Sequence, residues 1–322
     1  MTLATRRQRA AARRSRTKLD AARAPAATPP RPFRRSRLLI IGCGDVGQRV
    51  VRALGGRLRV RALTSQAERL PALRALGVTP LLGDLDDAAS LRRLSALSGW
   101  VLHLAPPPGA GEHDTRTRAL LHAWAMGGNV RRLVYASTSG VYGDAAGARF
   151  DETRPTAPAT ARARRRVDAE QQIRRWARRQ GVAASILRIP GIYAGDRPGG
   201  HPRERLQRGT PVLRSEDDVY TNHIHADDLA RICLAALMRG RPLRAYHASD
   251  TSDLRMGDYF DLAADLCGLP RPRRISRTDA QRELGPMLLS FMSESRRLDN
   301  ARLLNELRVH LRHPHVRTGL LV

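Results

Sequence analysis

The chain has 322 residues, 42% of them apolar, and a formal charge of +27; that apolar share suffices for a hydrophobic core and excludes disorder throughout. No run approaches the ~20 apolar residues of a membrane-crossing helix, and three widely spaced cysteines, Cys43, Cys233 and Cys267, exclude a disulfide framework and fit a reducing, cytoplasmic compartment. The cations are almost all arginine, with Lys18 the single lysine, so the charge reflects arginine usage as much as any polyanionic partner.

Residues 1–36 carry eleven Lys or Arg against one acid, Asp20, and few large apolar side chains. Such a segment cannot bury enough surface to offset its ordering entropy, and a disordered basic tail is expected. The same composition suits an organelle transit peptide, and the tail offers non-specific contact to nucleic acid. From residue 37 the pattern turns regular. "RLLII" reads as a buried strand, "DVGQRVVRALGG" has helical apolar spacing at Val46, Val50 and Leu54, and "RLRVRAL" alternates as a second strand. Further strands are predicted at "VTPLL", "WVLHLA", "RRLVYAS" and "AASILRIP", with helices near 66–76, 87–96, 114–127 and 160–180. This alternation predicts an α/β fold: a doubly wound, Rossmann-like parallel sheet covered on both faces. Beyond Pro190 the alternation weakens, although helices near 226–238, 256–267 and 300–308 and a strand at "AYHAS" remain legible. The expected division is a nucleotide-binding domain over 37–189 and 220–250, with a smaller C-terminal substrate lobe over 190–219 and 251–322.

"LLIIGCGDVGQRV" places Gly42, Gly44 and Gly47 between a strand and a helix. There Gly42 permits a tight turn, Gly44 lets backbone approach a pyrophosphate, and Gly47 lets helix pack on strand, while the helix N-terminus offers unpaired N–H groups. Cys43 is a spacer in this turn, and Asp45 and Val46 begin the helix that faces the ligand. Where the second strand ends, "VRALTSQAER" lacks the carboxylate that would select a free ribose 2′-hydroxyl. Thr64 and Ser65 instead offer hydroxyl donors to a 2′-phosphate, and Arg61 or Arg69 could add charge, so NADP is preferred over NAD. In "LLGDLDD", Asp84 and the following Leu85 backbone are candidates for the adenine edge, while Asp86 or Asp87 reads as a helix cap. His310, His313 and His315 lack a nearby carboxylate or thiolate to complete a metal site, and no metal is expected. Asp227 or Asp228, and later Asn300, are expected to cap helices.

Together, "GCGDVG", "GDLDD", "LHLAPP", "VYASTSGVYGD", "ILRIPGIYAG", "NHIHADDLA" and "SRRLDNARLLNEL" resemble the NAD-dependent epimerase/dehydratase-like branch, extended or atypical, of the short-chain dehydrogenases/reductases. The resemblance implies hydride exchange between a nicotinamide and a carbon bearing oxygen, on a small carbonyl or hydroxyl compound or a nucleotide sugar. It adds Ala105 of "LHLAPP" to the cofactor contacts and makes Thr138 the Ser/Thr that assists catalysis. It also implies a Tyr followed four residues later by a Lys, and here this chain departs. Counted back from Glu170, the Tyr position is Arg162 and the Lys position Arg166, and residues 143–192 contain neither tyrosine nor lysine.

The usual chemistry needs a phenol drawn down by a neighbouring ammonium so that it exchanges a proton with the substrate oxygen. A guanidinium stays charged. Arg162 can therefore bind an anion or polarise a carbonyl but cannot serve as a base, and Arg166 can still donate to the nicotinamide ribose. Tyr142, beside Thr138 in sequence, is the leading substitute for the proton, with Asp144, Tyr193 and His223 behind it. Arg164 and Arg165 read as solvated charges on an exposed helix face. The expected function is an oxidoreductase or epimerase with an atypical site; the alternative is a non-catalytic dinucleotide-binding redox sensor or regulator. Relatives of this kind pair through helices equivalent to 160–180, but eight arginines in that span would repel a symmetry mate, so monomer and homodimer both stand.

Overall fold

Seven parallel strands form the central sheet of the computed structural model, which describes residues 37–321 apart from 95, 96, 98 and 126. They are β1 (Arg37–Ile41), β2 (Arg59–Thr64), β3 (Thr79–Leu82), β4 (Trp100–His103), β5 (Arg132–Thr138), β6 (Ala183–Ile189) and β7 (Ala245–His247). Their spatial order is β3-β2-β1-β4-β5-β6-β7, every pairing parallel. The expected doubly wound sheet is therefore present. The order reverses between β1 and β4, and ligands of open α/β sheets lodge at such a reversal, beyond the carboxyl ends of the strands. The expected basic tail lies outside the described residues.

Both faces of β1 are buried, which is why its sequence is an unbroken apolar run. Leu38 and Ile40 join one core with Val50 and Leu54 of α1 (Asp45–Leu54), while Leu39 and Ile41 join a second on the opposite face. The second core receives Leu120 and Trp124 of α2 (Thr115–Ala125) and Ile173 and Trp176 of α3 (Ala161–Gln180). The first receives Leu229 and Cys233 of α4 (Ala226–Arg239), together with Leu303 and Leu307 of α6 (Ala301–Leu307). Between these last two helices comes α5 (Met256–Cys267), whose Tyr259, Phe260 and Ala263 pack with Tyr193, Val212 and Ile275 in a separate apolar cluster.

Two boundaries are set by capping. Thr160 accepts the Ala163 amide to start α3, and Gly181, at φ 64°, ends it. At α4 the expected aspartate cap is corrected, because the His225 side chain accepts the Asp227 amide. Asp228 is instead fully buried and takes the backbone amides of Arg312 and His313 at 2.9 and 2.8 Å. Asn300 stands at the start of α6 without capping it; its side chain donates to the carbonyls of Ser249 and Asp250, and Asp299 accepts the Ala301 amide. Residues 88–94, read as part of a helix, form a 3₁₀ segment. Among the described residues no helix is long and apolar enough to cross a membrane.

Candidate active site

The turn after β1 is shaped by what surrounds its glycines. Gly42 has φ +82°, and a Cβ there would lie 2.7 Å from the backbone N and Cα of Ala105, so the turn and the end of β4 touch main chain to main chain. The amides of Leu104 and Ala105 both donate to the Ile41 carbonyl, at 2.8 and 2.9 Å, which holds that approach in place. Gly44 begins α1 without a side-chain cap, and a Cβ built on it meets nothing within 4 Å. Open space thus faces uncapped helix amides, and these residues fit a dinucleotide's diphosphate. At Gly47 a Cβ would stand 3.2 Å from the Cys43 sulfur. Cys43 itself is buried and burial pushes its thiol up to about 11, so it fills space rather than reacts. Val46, half-buried, packs against the core beneath α1.

Asp45 is an acid in the turn that should attract a diphosphate, and two arginines offset it. Arg49 donates to its carboxylate at 3.0 Å and Arg197 at 2.7 Å. Of the groups expected to read the ribose, Thr64 is buried and accepts the Gln66 amide, leaving its hydroxyl hydrogen to donate, while Ser65 is exposed. Arg69 donates to the Cys43 carbonyl at 2.6 Å, which brings a guanidinium onto the phosphate turn. Arg61 is corrected: it turns away to the Leu97 carbonyl. Asp84 caps its own turn by accepting the Asp86 amide, with Leu85 partly packed beside it.

A cleft of about 800 Å³ opens beyond the carboxyl ends of β5 and β6, and Thr138, Arg162 and Arg166 all line it. Thr138 ends β5 and accepts the Gly140 amide at 3.2 Å. Arg162, exposed on the first turn of α3, lies over the Phe291 ring at 5.1 Å. One turn on, Arg166 donates to the Ala136 carbonyl at 2.6 Å and to the Tyr135 hydroxyl at 3.1 Å. The sequence positions assigned to the missing Tyr and Lys therefore share one cavity with Thr138. The arginine run divides in a way that corrects the expectation of two solvated charges: Arg164 is exposed and paired with Glu112, but Arg165 is buried and donates to the carbonyls of Gly111 at 2.5 Å and Gly109 at 3.2 Å.

Tyr142 does not reach the cleft. It is fully buried, its hydroxyl held at 2.6 Å by both His247 and Arg188, and burial raises it to about 12 despite the neighbouring Arg188. Arg188 also donates to Glu170 at 2.8 Å, and Glu170 accepts the Ser137 hydroxyl at 2.6 Å, so the tyrosine belongs to a closed interior network. This corrects its place as leading proton carrier, and Asp144 is likewise engaged with the amides of Ala146 and Ser295. Tyr193 and His223 do line the cleft. Both are buried, and the Tyr193 hydroxyl and His223 Nδ1 have no hydrogen-bond partner among the described residues. Burial raises the Tyr193 phenol and lowers His223 to about 3, so the imidazole, stacked 4.1 Å from Tyr259, is neutral.

The cleft is also strongly cationic: six arginines line it against two glutamates. Arg205 lies over Phe260 at 4.2 Å with no paired carboxylate among the described residues, and burial lowers it to about 10, still charged at neutral pH. Arg197 and Arg205 went unrecognised in the sequence, because the Gly- and Pro-rich stretch around 195–205 carries no periodic signal.

Comparison with known proteins gives the family and the fold. The model of the NAD dependent epimerase/dehydratase family matches residues 38–248. Protein YeeZ of Escherichia coli (strain K12) is 23% identical over 287 residues, covering 86% of this chain and 96% of that protein. A functionally unknown conserved protein from Silicibacter pomeroyi DSS has a solved structure with TM-score 0.74 and 31% identity, over 88% of this chain and 96% of that one. A double mutant of DesIV, a dTDP-glucose 4,6-dehydratase from Streptomyces venezuelae, solved with NAD and DAU bound, shares the fold at TM-score 0.71 and 22% identity, over 88% and 94% of the two chains.

Proposed function

This chain belongs to the NAD dependent epimerase/dehydratase family, and we propose that it exchanges hydride between a nicotinamide dinucleotide and a carbon bearing oxygen on a small carbonyl, hydroxyl or nucleotide-sugar substrate, with Arg162 and Arg166 in place of the usual tyrosine and lysine. The observation that carries the proposal is one cavity holding Thr138, Arg162 and Arg166 at the carboxyl edge of the sheet. The nicotinamide, when bound, supplies the hydride acceptor or donor.

The chain's own residues do the rest. The amides that open α1, with Gly44 leaving room, hold the diphosphate. Arg69, Thr64 and Ser65 receive a 2′-phosphate, which favours NADP over NAD. Arg166, already aimed along the end of β5, donates to ribose hydroxyls. Thr138 donates to the substrate oxygen, and Arg162 polarises it as a fixed cation without taking its proton. Tyr193 and His223 are the protic groups left to pass that proton. The arginine excess of the cleft supports an anionic substrate, since each guanidinium offers a planar fork to phosphate or carboxylate. The C-terminal residues 190–219 and 251–322 supply four of those arginines, Arg197, Arg205, Arg208 and Arg296.

A second reading rests on a specific observation: the Tyr193 phenol is pushed up rather than down, which suits a dinucleotide sensor that performs no proton transfer. The two separate by turnover. Incubation of reduced cofactor with aldehydes and ketones, and of oxidised cofactor with alcohols and nucleotide sugars, changes the nicotinamide absorbance or converts the substrate, as followed by chromatography, if the protein is the proposed enzyme. Tight cofactor binding with no turnover across the panel overturns the enzyme reading in favour of the sensor.

A further inference from the structure

A second cavity, of about 720 Å³, lies along α1 and α4 and is walled by Arg308, Val309, His310 and Arg312. Six arginines line it against two aspartates. Those aspartates are already committed, because Arg49 donates to Asp227 at 2.6 Å and also bonds Asp196, as well as Asp45. Arg231 is offset by the buried Asp228, 3.2 Å away. Arg239 turns to the carbonyls of Leu307 and Arg308, at 2.5 and 3.2 Å. Three guanidinium groups remain, those of Arg52, Arg308 and Arg312, all exposed and without a carboxylate partner among the described residues. Like charges gathered in one concavity repel one another unless an anion sits between them.

The backbone supplies an independent sign. Arg308 follows the last turn of α6 at φ 51° and ψ 47°, the left-handed conformation in which glycine is the favoured residue. Arg239, by bonding the carbonyls on either side of that peptide, keeps the conformation in place. Glycine closes α1, α3 and α5 in the same conformation, so an arginine at this fourth left-handed cap trades local strain for a cation at the cavity wall. Between the cations the floor is apolar, with Leu234, Val309 and the half-exposed Met238. Charged walls over an apolar floor, at a volume within the ~300–1,000 Å³ of ligand sites, match a phosphorylated molecule of nucleotide size.

We propose that this trench is a second binding site, separate from the cofactor turn and the cleft, for a nucleotide-sized oligophosphate held by Arg52, Arg308 and Arg312. The phosphates take the guanidinium forks, and an apolar ring or face of the ligand rests on Leu234, Met238 and Val309.

The test is calorimetric titration of the full chain with inorganic tripolyphosphate and with ATP, in low salt, with and without saturating NADPH. The expected result is saturable one-to-one binding that NADPH leaves unchanged, with ATP the tighter of the two. Arg52→Gln with Arg312→Gln weakens both at least tenfold. Arg308→Gly weakens both about tenfold and at the same time raises the thermal midpoint by about 1–3 °C, because glycine relaxes the left-handed cap; a merely structural arginine would not produce that opposition. Competition by NADPH, unchanged affinity in the arginine variants, or binding of duplex DNA without binding of tripolyphosphate would each overturn the proposal. Because the titration is also run without cofactor, its outcome is independent of whether NADPH binds.

Discussion

Replacing Gly44 by alanine separates ligand binding from folding, and replacing Gly42 by alanine gives the converse. At Gly44 the backbone is extended, at φ −78° and ψ −152°, and the added methyl meets no protein atom within 4 Å. Folding stability therefore changes by no more than about 0.5 kcal/mol, the range of a substitution that creates no clash, cavity or strain. The methyl occupies the space assigned to the diphosphate, and loss of a single well-placed amide contact, about 1.4 kcal/mol, is a tenfold loss in affinity. At Gly42 the methyl would stand 2.7 Å from the Ala105 backbone, at φ +82°. The left-handed region costs about 1–2 kcal/mol for a residue with a Cβ, and forcing the ends of β1 and β4 apart adds about 1–3 kcal/mol. Such a loss lowers the thermal midpoint by roughly 3–8 °C for a chain of this size. Scanning calorimetry reads the stability and fluorescence titration with NADPH reads the affinity. Gly44→Ala binding NADPH as tightly as the parent protein would refute the assignment of this turn to the diphosphate, and an unshifted midpoint for Gly42→Ala would refute the account of the turn's packing.

Arg69→Gln is expected to weaken NADPH about tenfold and leave NADH unchanged, because Arg69 stands at the Cys43 carbonyl where a 2′-phosphate is proposed to lie; equal weakening of both cofactors in parallel titrations would remove the basis for an NADP preference. Glu170→Gln leaves the Arg188 guanidinium, 5% exposed, without its carboxylate, and should cost about 3 kcal/mol, read as a drop in urea midpoint with unchanged m-value. Asp250 is buried and burial raises its carboxyl from 3.8 to about 7. The folded state then holds a proton that the unfolded chain releases, so stability falls as pH rises from about 4 to about 7. Asp250→Asn is expected to flatten that slope, gaining on the parent protein by up to a few kcal/mol at pH 8; identical slopes in urea melts at pH 5 and pH 8 would count against it.

Much of the sheet could be read from sequence because a parallel strand buried on both faces is a continuous apolar run, as in β1 and β5. The glycine turn was legible for the same local reason, since spacing and flanking elements carry the signal together. What escaped was non-local. Arg165 looks like its solvated neighbours in α3, and only the carbonyls of Gly109 and Gly111, more than fifty residues earlier, explain its burial. Tyr142 is beside Thr138 in the chain, yet the 3₁₀ turn at Ser139–Tyr142 carries it inward to Arg188 and His247. The pairs Tyr220–Thr221 with Leu254–Arg255 and Val212–Leu213 with Arg274–Ile275 are two residues long and have no period to detect. The cationic character of the cleft was likewise hidden, because its arginines come from four separate stretches of a chain that is arginine-rich throughout.

Equilibrium titration of the full chain with NADPH and NADH addresses most directly whether an uncapped helix end and three glycines hold a dinucleotide beside Arg162 and Arg166. The account predicts saturable one-to-one binding of both, tighter for NADPH, with Arg166→Met weakening each. Absence of any saturable association with either dinucleotide would contradict it.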